Sequence, residues 1–251
     1  MPNLPYEIID KILEYIEDIE ILIALKRYHP LISRVTMDQA SSKGYLGLVK
    51  YLHDAGKKCI TYTIIFAAQN GHLEVVKYLH ETVGVKCTEY TMNYAADNGH
   101  LEVIKYLHEI VGAECTTNAL DWAAENGHLE IVKYLYETVG AGYTPDAMEC
   151  AAQNGHLEVV KYLHETVGAK WTTNAINCAV ENGHLEVVKY LYEKVGIKCT
   201  VYAMNWAAIH GDLEMVKYLH KTVSAACTTD AIDWANDNGH FEVVEYLKSV
   251  Q

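Results

Sequence analysis

The sequence predicts an all-α helical-repeat solenoid, on three observations. First, the stretch Asn-Gly-His-Leu-Glu-Val-Val-Lys-Tyr-Leu at 70–79 recurs with its glycine at Gly71, Gly99, Gly127, Gly155, Gly183, Gly211 and Gly239, a step of 28 residues, and a worn copy around Gly44 precedes it by 27. Second, each unit reads as two short apolar-faced helices, A and B, parted by Asn-Gly and closed by a further glycine. Third, a fixed period of roughly 20 to 50 residues belongs to arrays in which a unit buries its apolar face only by stacking on its neighbours.

Taken in order, residues 1–32 stand outside the repeat. Ile8, Ile9, Ile12, Leu13 and Ile16 follow helical spacing, with Pro5 in a tolerated first-turn position and Glu7 near the positive end of the helix dipole. A second apolar helix is expected over 19–26, ended by Pro30. No Gly/Ser-rich or charged linker joins this segment to the array of eight units at 33–251, so its helices are expected to pack on the first repeat as a cap.

The first repeat is worn: Ser33 is its expected N-cap, Met37 and Ala40 face the core, Gly44 makes the turn and 46–53 forms helix B. The fourth repeat shows the full pattern. Thr116 caps helix A, Leu120, Ala123 and Ala124 supply its apolar face, and Asn126-Gly127 breaks it. Helix B runs from His128 or Leu129 to about Thr138 with Leu129, Val132 and Leu135 inward, and Gly140 closes it. Caps recur at Thr88, Thr144, Thr172, Thr200 and Thr228, with Pro145 at N1 of one helix; closures recur at Gly56, Gly84, Gly112, Gly168 and Gly196, and Ser224 alone departs.

Composition narrows the function. A formal net charge of −13 argues against a surface that tracks nucleic-acid phosphates. No apolar run reaches the length of a membrane span and the N-terminus lacks a basic-then-apolar leader, so an intracellular, cytoplasmic protein is expected. The seven cysteines form no Cys-x-x-Cys pair, and five recur at one repeat position, too far apart between stacked helices for a disulfide; they read as small buried residues in a reducing compartment.

The run Ala-Ala-x-Asn-Gly-His-Leu-Glu-Val-Val-Lys-Tyr-Leu, at 67–79 and 151–163, resembles the two-helix core of the ankyrin repeat, over roughly residues 33–250. Ankyrin units are typically about 33 residues with a β-turn finger and a Thr-Pro-Leu-His start. Here Thr-x-x-Ala, as at 116–119, replaces that start, so the resemblance implies an ankyrin-like solenoid with shortened or absent β-fingers. Leu4-Pro5-Tyr6-Glu7-Ile8-Ile9 and Lys11-Ile12-Leu13-x-Tyr15-Ile16 resemble the opening of an F-box, which docks the Skp-type adaptor of cullin-based ubiquitin ligases. That likeness would give adaptor contact to Leu4, Pro5, Ile8, Ile9, Ile12 and Leu13, although the late tryptophan common in that family is absent from 26–35. The combination resembles proteins of amoeba-infecting giant viruses.

No catalytic constellation emerges. The histidine columns, such as His72 and His80, lie eight residues apart, about 12 Å along a helix, too far to share one metal ion. The tyrosine column (Tyr51, Tyr78, Tyr106 and onward) is expected to pack between B helices with its hydroxyls reaching water. Glu and Lys three residues apart on each B helix read as solvated pairs.

Specificity must then lie where the units differ. Tyr62, Tyr90, Asn118, Asp146, Asn174, Tyr202 and Asp230 form one variable column on helix A; Ile65, Asn93, Asp121, Glu149, Asn177, Asn205 and Asp233 form a second, three residues on. A third follows from Gln69 to Asp237. In ankyrin-like stacks this side of helix A lines the concave surface, so these residues are expected to hold a protein target with basic and apolar groups. The expected function is a monomeric, cofactor-free interaction scaffold with no nucleic-acid or membrane partner, in the host-cell cytoplasm if the protein is viral. It would serve, in its sharper form, as substrate receptor of a cullin-type ligase. The alternative is a plain scaffold whose N-terminal helices only cap the stack; a metal-dependent enzyme using the histidine columns is the remote one.

Overall fold

A computed structural model describes residues 35–170 and 172–250. The expectations placed on 1–34, the F-box-like segment and the Ser33 cap among them, lie outside the described residues. The chain divides into two compact units, Met1–Ala119 and Leu120–Gln251. Among the described residues every regular element is helical, the all-α repeat class that the period predicts.

In the first unit α1 (Met37–Ser42), α3 (Thr61–Gln69) and α5 (Glu89–Asp97) are A helices. The B helices are α2 (Leu46–Asp54), α4 (Leu73–Glu81) and α6 (Leu101–Tyr106), the last continuing as a wider helical turn over Leu107–Val111. The A helices stack α1 on α3 on α5, and each packs on its own B helix. The unit boundary falls within α7 (Thr117–Glu125).

The second unit repeats the arrangement. Its A helices are α9 (Pro145–Gln153), α11 (Thr173–Glu181), α13 (Val201–Ile209) and α15 (Thr229–Asp237), stacked in order. Its B helices are α8 (Leu129–Tyr134), α10 (Leu157–Tyr162), α12 (Leu185–Tyr190), α14 (Leu213–Lys221) and α16 (Phe241–Ser249); α8, α10 and α12 end in wide turns over Leu135–Val139, Leu163–Val167 and Leu191–Val195.

Helices this short are unstable alone and persist through packing. The alanine pairs Ala67/Ala68, Ala95/Ala96, Ala123/Ala124 and Ala151/Ala152 are fully buried, and their small size lets neighbours approach closely. Leu79, Ile104, Leu107, Leu135 and Leu163 fill the space between A and B helices, each contributing about 1.5–3 kcal/mol relative to exposure. In the fourth repeat Leu120, Val132 and Leu135 are buried as expected; Leu129, at the helix start, is only half-buried, and Ile131 takes the inward position instead.

Local chemistry sets the helix ends. The first repeat is capped by Thr36: Gln39 N–H donates to Thr36 Oγ1 at 3.2 Å and Thr36 N–H to Gln39 Oε1 at 2.9 Å. Thr144, Thr172 and Thr228 cap as read, at 3.2, 3.2 and 3.1 Å. At Thr88 the roles reverse, Thr91 Oγ1 accepting from the Thr88 N–H at 3.1 Å. The B-helix closures lie in the left-handed region throughout, including Ser224 at φ 55°.

Candidate interaction surface

The two variable columns of helix A have different fates. Tyr62, Tyr90 and Tyr202 are 62%, 51% and 63% exposed, and Asn118, Asp146, Asn174 and Asp230 are exposed too. The second column corrects the reading that it faces a target, because most of it is internal: Ile65, Asn93, Asp121 and Asn205 are buried, and Glu149 and Asn177 half-buried. Asp233 alone of that column is exposed.

The reason is a ladder of side chains between repeats. Asn93 Nδ2 donates to Thr116 Oγ1 at 2.8 Å, and Asp121 accepts from both the N–H and the hydroxyl of Thr144 at 2.9 Å. The Thr172 hydroxyl donates to Glu149; Thr200 and Thr228 donate to Asn177 Oδ1 and Asn205 Oδ1 at 3.1 and 2.7 Å. Each partner lies 23 residues ahead, at the start of the next A helix. In the worn first repeat Asp38 accepts from Thr63. Where Ile65 fills the column no rung forms, and Thr88 Oγ1 is buried without a partner. Burial lifts the Asp121 carboxyl above its ordinary range even against the bonds from Thr144.

The other columns are structural as well. His72 and His100 donate from Nε2 to the carbonyls of Ser42 and Gln69 in the preceding repeat, both at 2.9 Å. His156 bonds the Glu125 carbonyl and is held below its usual pKa by burial. In the seventh repeat Asp212 replaces that histidine and instead caps α14, accepting from Met215 N–H at 3.0 Å.

The tyrosine hydroxyls find protein partners where solvent was expected. Tyr106, Tyr162, Tyr190 and Tyr218 donate to Glu81, Glu137, Glu165 and Glu193 at 2.9, 2.7, 2.8 and 3.1 Å, and His53 and His220 meet the hydroxyls of Tyr78 and Tyr246. Burial and the neighbouring carboxylates push these four phenols above their ordinary pKa.

Glu and Lys pair on the B helices as read, at 2.6–2.9 Å and solvent-exposed, so they add little. The cysteines are half-buried rather than fully buried, and burial raises the thiols of Cys87 and Cys199 to about 11, which leaves them unreactive.

Helix A carries one exposed column that the sequence reading passed over. Phe66, Tyr94, Trp122, Cys150, Cys178 and Trp206 are half-exposed and Trp234 is 39% exposed, each one helical turn beyond a member of the Tyr62 column. The signal was present as five aromatic residues and two cysteines at a single repeat position. No A helix among the described residues contains a lysine or arginine, whereas the B helices and loops carry all of them. The A-helix surface is therefore aromatic and acidic. Among the described residues no helix is long and apolar enough to cross a membrane.

A family model described as ankyrin repeats matches the chain in three copies, at residues 37–119, 64–147 and 120–203, about two thirds of its length together. Comparison of the sequence with curated proteins returned no match.

Proposed function

The chain belongs to the ankyrin-repeat family, a family of protein-binding scaffolds, and from that premise we propose that it holds a protein target on the exposed columns of its A helices. The observation that carries this reading is the position of Tyr62 and Tyr90 on the stacked helices α3 and α5, more than half exposed, with the half-exposed Phe66 and Tyr94 one turn on. Tyrosine anchors interfaces because it offers a large rigid area and a polar tip at low entropic cost. Asn118, Asp146, Asn174, Tyr202 and Asp230 hold the same position in their own repeats and are exposed too, while the buried ladder residues act by fixing repeat register.

The test is site-specific photo-crosslinking. A crosslinker at position 62 or 90 should capture the target, and one at Glu102 or Glu130 on a B helix should not. Capture from the B helices alone sinks the proposal.

The sharper reading makes the protein a cytoplasmic substrate receptor, monomeric, with Leu4, Pro5, Ile8, Ile9, Ile12 and Leu13 docking a Skp-type adaptor. It rests on the F-box-like sequence pattern alone. Ile8→Asp/Ile12→Asp in the full chain should abolish adaptor recovery with the circular-dichroism spectrum unchanged. If the same change unfolds the array and no adaptor is recovered with the unaltered chain, the segment is a cap.

A further inference from the structure

Among the seven full repeats, four columns break in the seventh unit alone. Ile209 stands where the other full repeats carry an acid or glutamine, His210 where they carry asparagine, Asp212 in the histidine column and Ser224 in the closing-glycine column. Three of the four cluster at the end of α13, below Tyr202 and Trp206.

The surface there has a definite chemistry. Tyr202 is 63% exposed, and Trp206 lies one turn on with the His210 ring stacked on it at 5.9 Å between centroids. The next stacked helix presents Trp234, 39% exposed. Glu181 on α11 and Asp230, Asp233 and Asp237 on α15 flank these rings; all four are exposed, with no hydrogen-bond or ion-pair partner among the described residues. No lysine or arginine occurs on α11, α13 or α15 or in the Asn-Gly-type turn after each. Stacked helices lie about 8–10 Å apart, so rings on α13 and α15 can flank one side chain.

We infer that Tyr202, Trp206 and Trp234, with the carboxylates of Glu181, Asp230 and Asp237, form a docking patch for a basic segment of a partner protein, seating a lysine or arginine side chain against the rings. Indole and phenol faces attract cations, and unneutralised carboxylates on both flanks add long-range attraction and orientation. An acidic or purely apolar partner would leave those carboxylates uncompensated. This inference rests on the A-helix binding face proposed above and names its partner class.

The test uses the full chain and a short peptide alternating Lys and Arg with Leu, beside a counterpart with Gln at every basic position, titrated by calorimetry at low and physiological salt. The basic peptide is expected to bind, more weakly as salt rises, and the Gln peptide not to bind. Trp234→Ala and Tyr202→Ser leave the charge unchanged and should each weaken binding about tenfold. Asp230→Asn/Asp237→Asn should weaken it as well, and Glu158→Gln/Glu186→Gln on the B helices should have little effect.

Equal affinity across all variants means diffuse attraction to an acidic protein and overturns the inference. So does equal binding of the Gln peptide, or no binding of the basic one. Loss of binding on Tyr62→Ser/Tyr90→Ser, with Trp234→Ala silent, overturns this patch but leaves the A-helix face standing. Crosslinking of the target solely from B helices removes the face itself.

Discussion

Asp121 and Thr144, on successive A helices, share two hydrogen bonds of 2.9 Å, the carboxylate accepting from both the threonine N–H and its hydroxyl. Burial nevertheless raises the Asp121 pKa from 3.8, so desolvation outweighs the bonds. A folded pKa above the unfolded one means that this group's contribution is fully present below the unfolded value and lost as pH rises through the folded value. At neutral pH the charge is thus a cost. Asp121→Asn removes the charge and can keep both contacts in the manner of Asn93 with Thr116. Its urea midpoint should exceed that of the parent at pH 7, the gap closing as pH falls toward 4. A lower midpoint at pH 7 would mean that the charged bonds dominate.

The missing rung at Ile65 gives a pair of opposite signs. Thr88 Oγ1 is buried without a partner, and such a hydroxyl costs about 1–3 kcal/mol. Thr88→Val keeps the shape and should stabilise by about 1 kcal/mol. Thr116→Val should destabilise by a similar amount, because Thr116 Oγ1 accepts from Asn93 Nδ2 at 2.8 Å and from Asn118 N–H at 3.3 Å. Chemical denaturation of the two variants settles the sign of each.

Gly155 and Gly183 share left-handed backbones, at φ 78° and 75°, but not surroundings. A Cβ on Gly155 would meet the His184 ring at 2.5–2.8 Å, whereas one on Gly183 would meet only Asp212 Oδ2, at 3.7 Å. Both alanine variants bear backbone strain of about 1–2 kcal/mol. Gly155→Ala should lose more, by displacing the His184 ring, and equal losses would mean that the ring moves freely.

The parts of the fold legible in sequence are those set by local chemistry. Asn-Gly at the end of helix A reads directly because the glycine takes positive φ and the asparagine donates back to a carbonyl, as Asn98 Nδ2 does to Tyr94 O at 3.0 Å. The ladder was illegible as such because its register is non-local. Asn93, Asp121, Glu149 and Asn177 differ chemically and so resemble a drifting surface, yet all supply a polar partner to a threonine 23 residues on. The tyrosine hydroxyls mislead in the same way, since Glu81 and Tyr106 meet only through stacking, 25 positions apart. Trp206 and Trp234 escaped notice because at helical spacing an aromatic column resembles core, and only the fold shows which side the alanines occupy.

Ser224 is the one non-glycine residue at positive φ among the described residues, at 55°, where Gly112, Gly140, Gly168 and Gly196 lie at 66–80°. A Cβ at those four glycines would meet nothing within 4 Å, so a side chain there carries backbone strain without a clash. That strain is about 1–2 kcal/mol, partly offset by the larger unfolded-state freedom of glycine, about 0.5–1 kcal/mol. Ser224→Gly should therefore raise the urea midpoint, by up to about 1 kcal/mol in stability, and Gly196→Ser should lower it by a like amount. If Ser224→Gly instead destabilises, the serine makes a compensating interaction in the cleft that it lines with Tyr192 and Lys198, and the Tyr192→Phe background would show which neighbour supplies it.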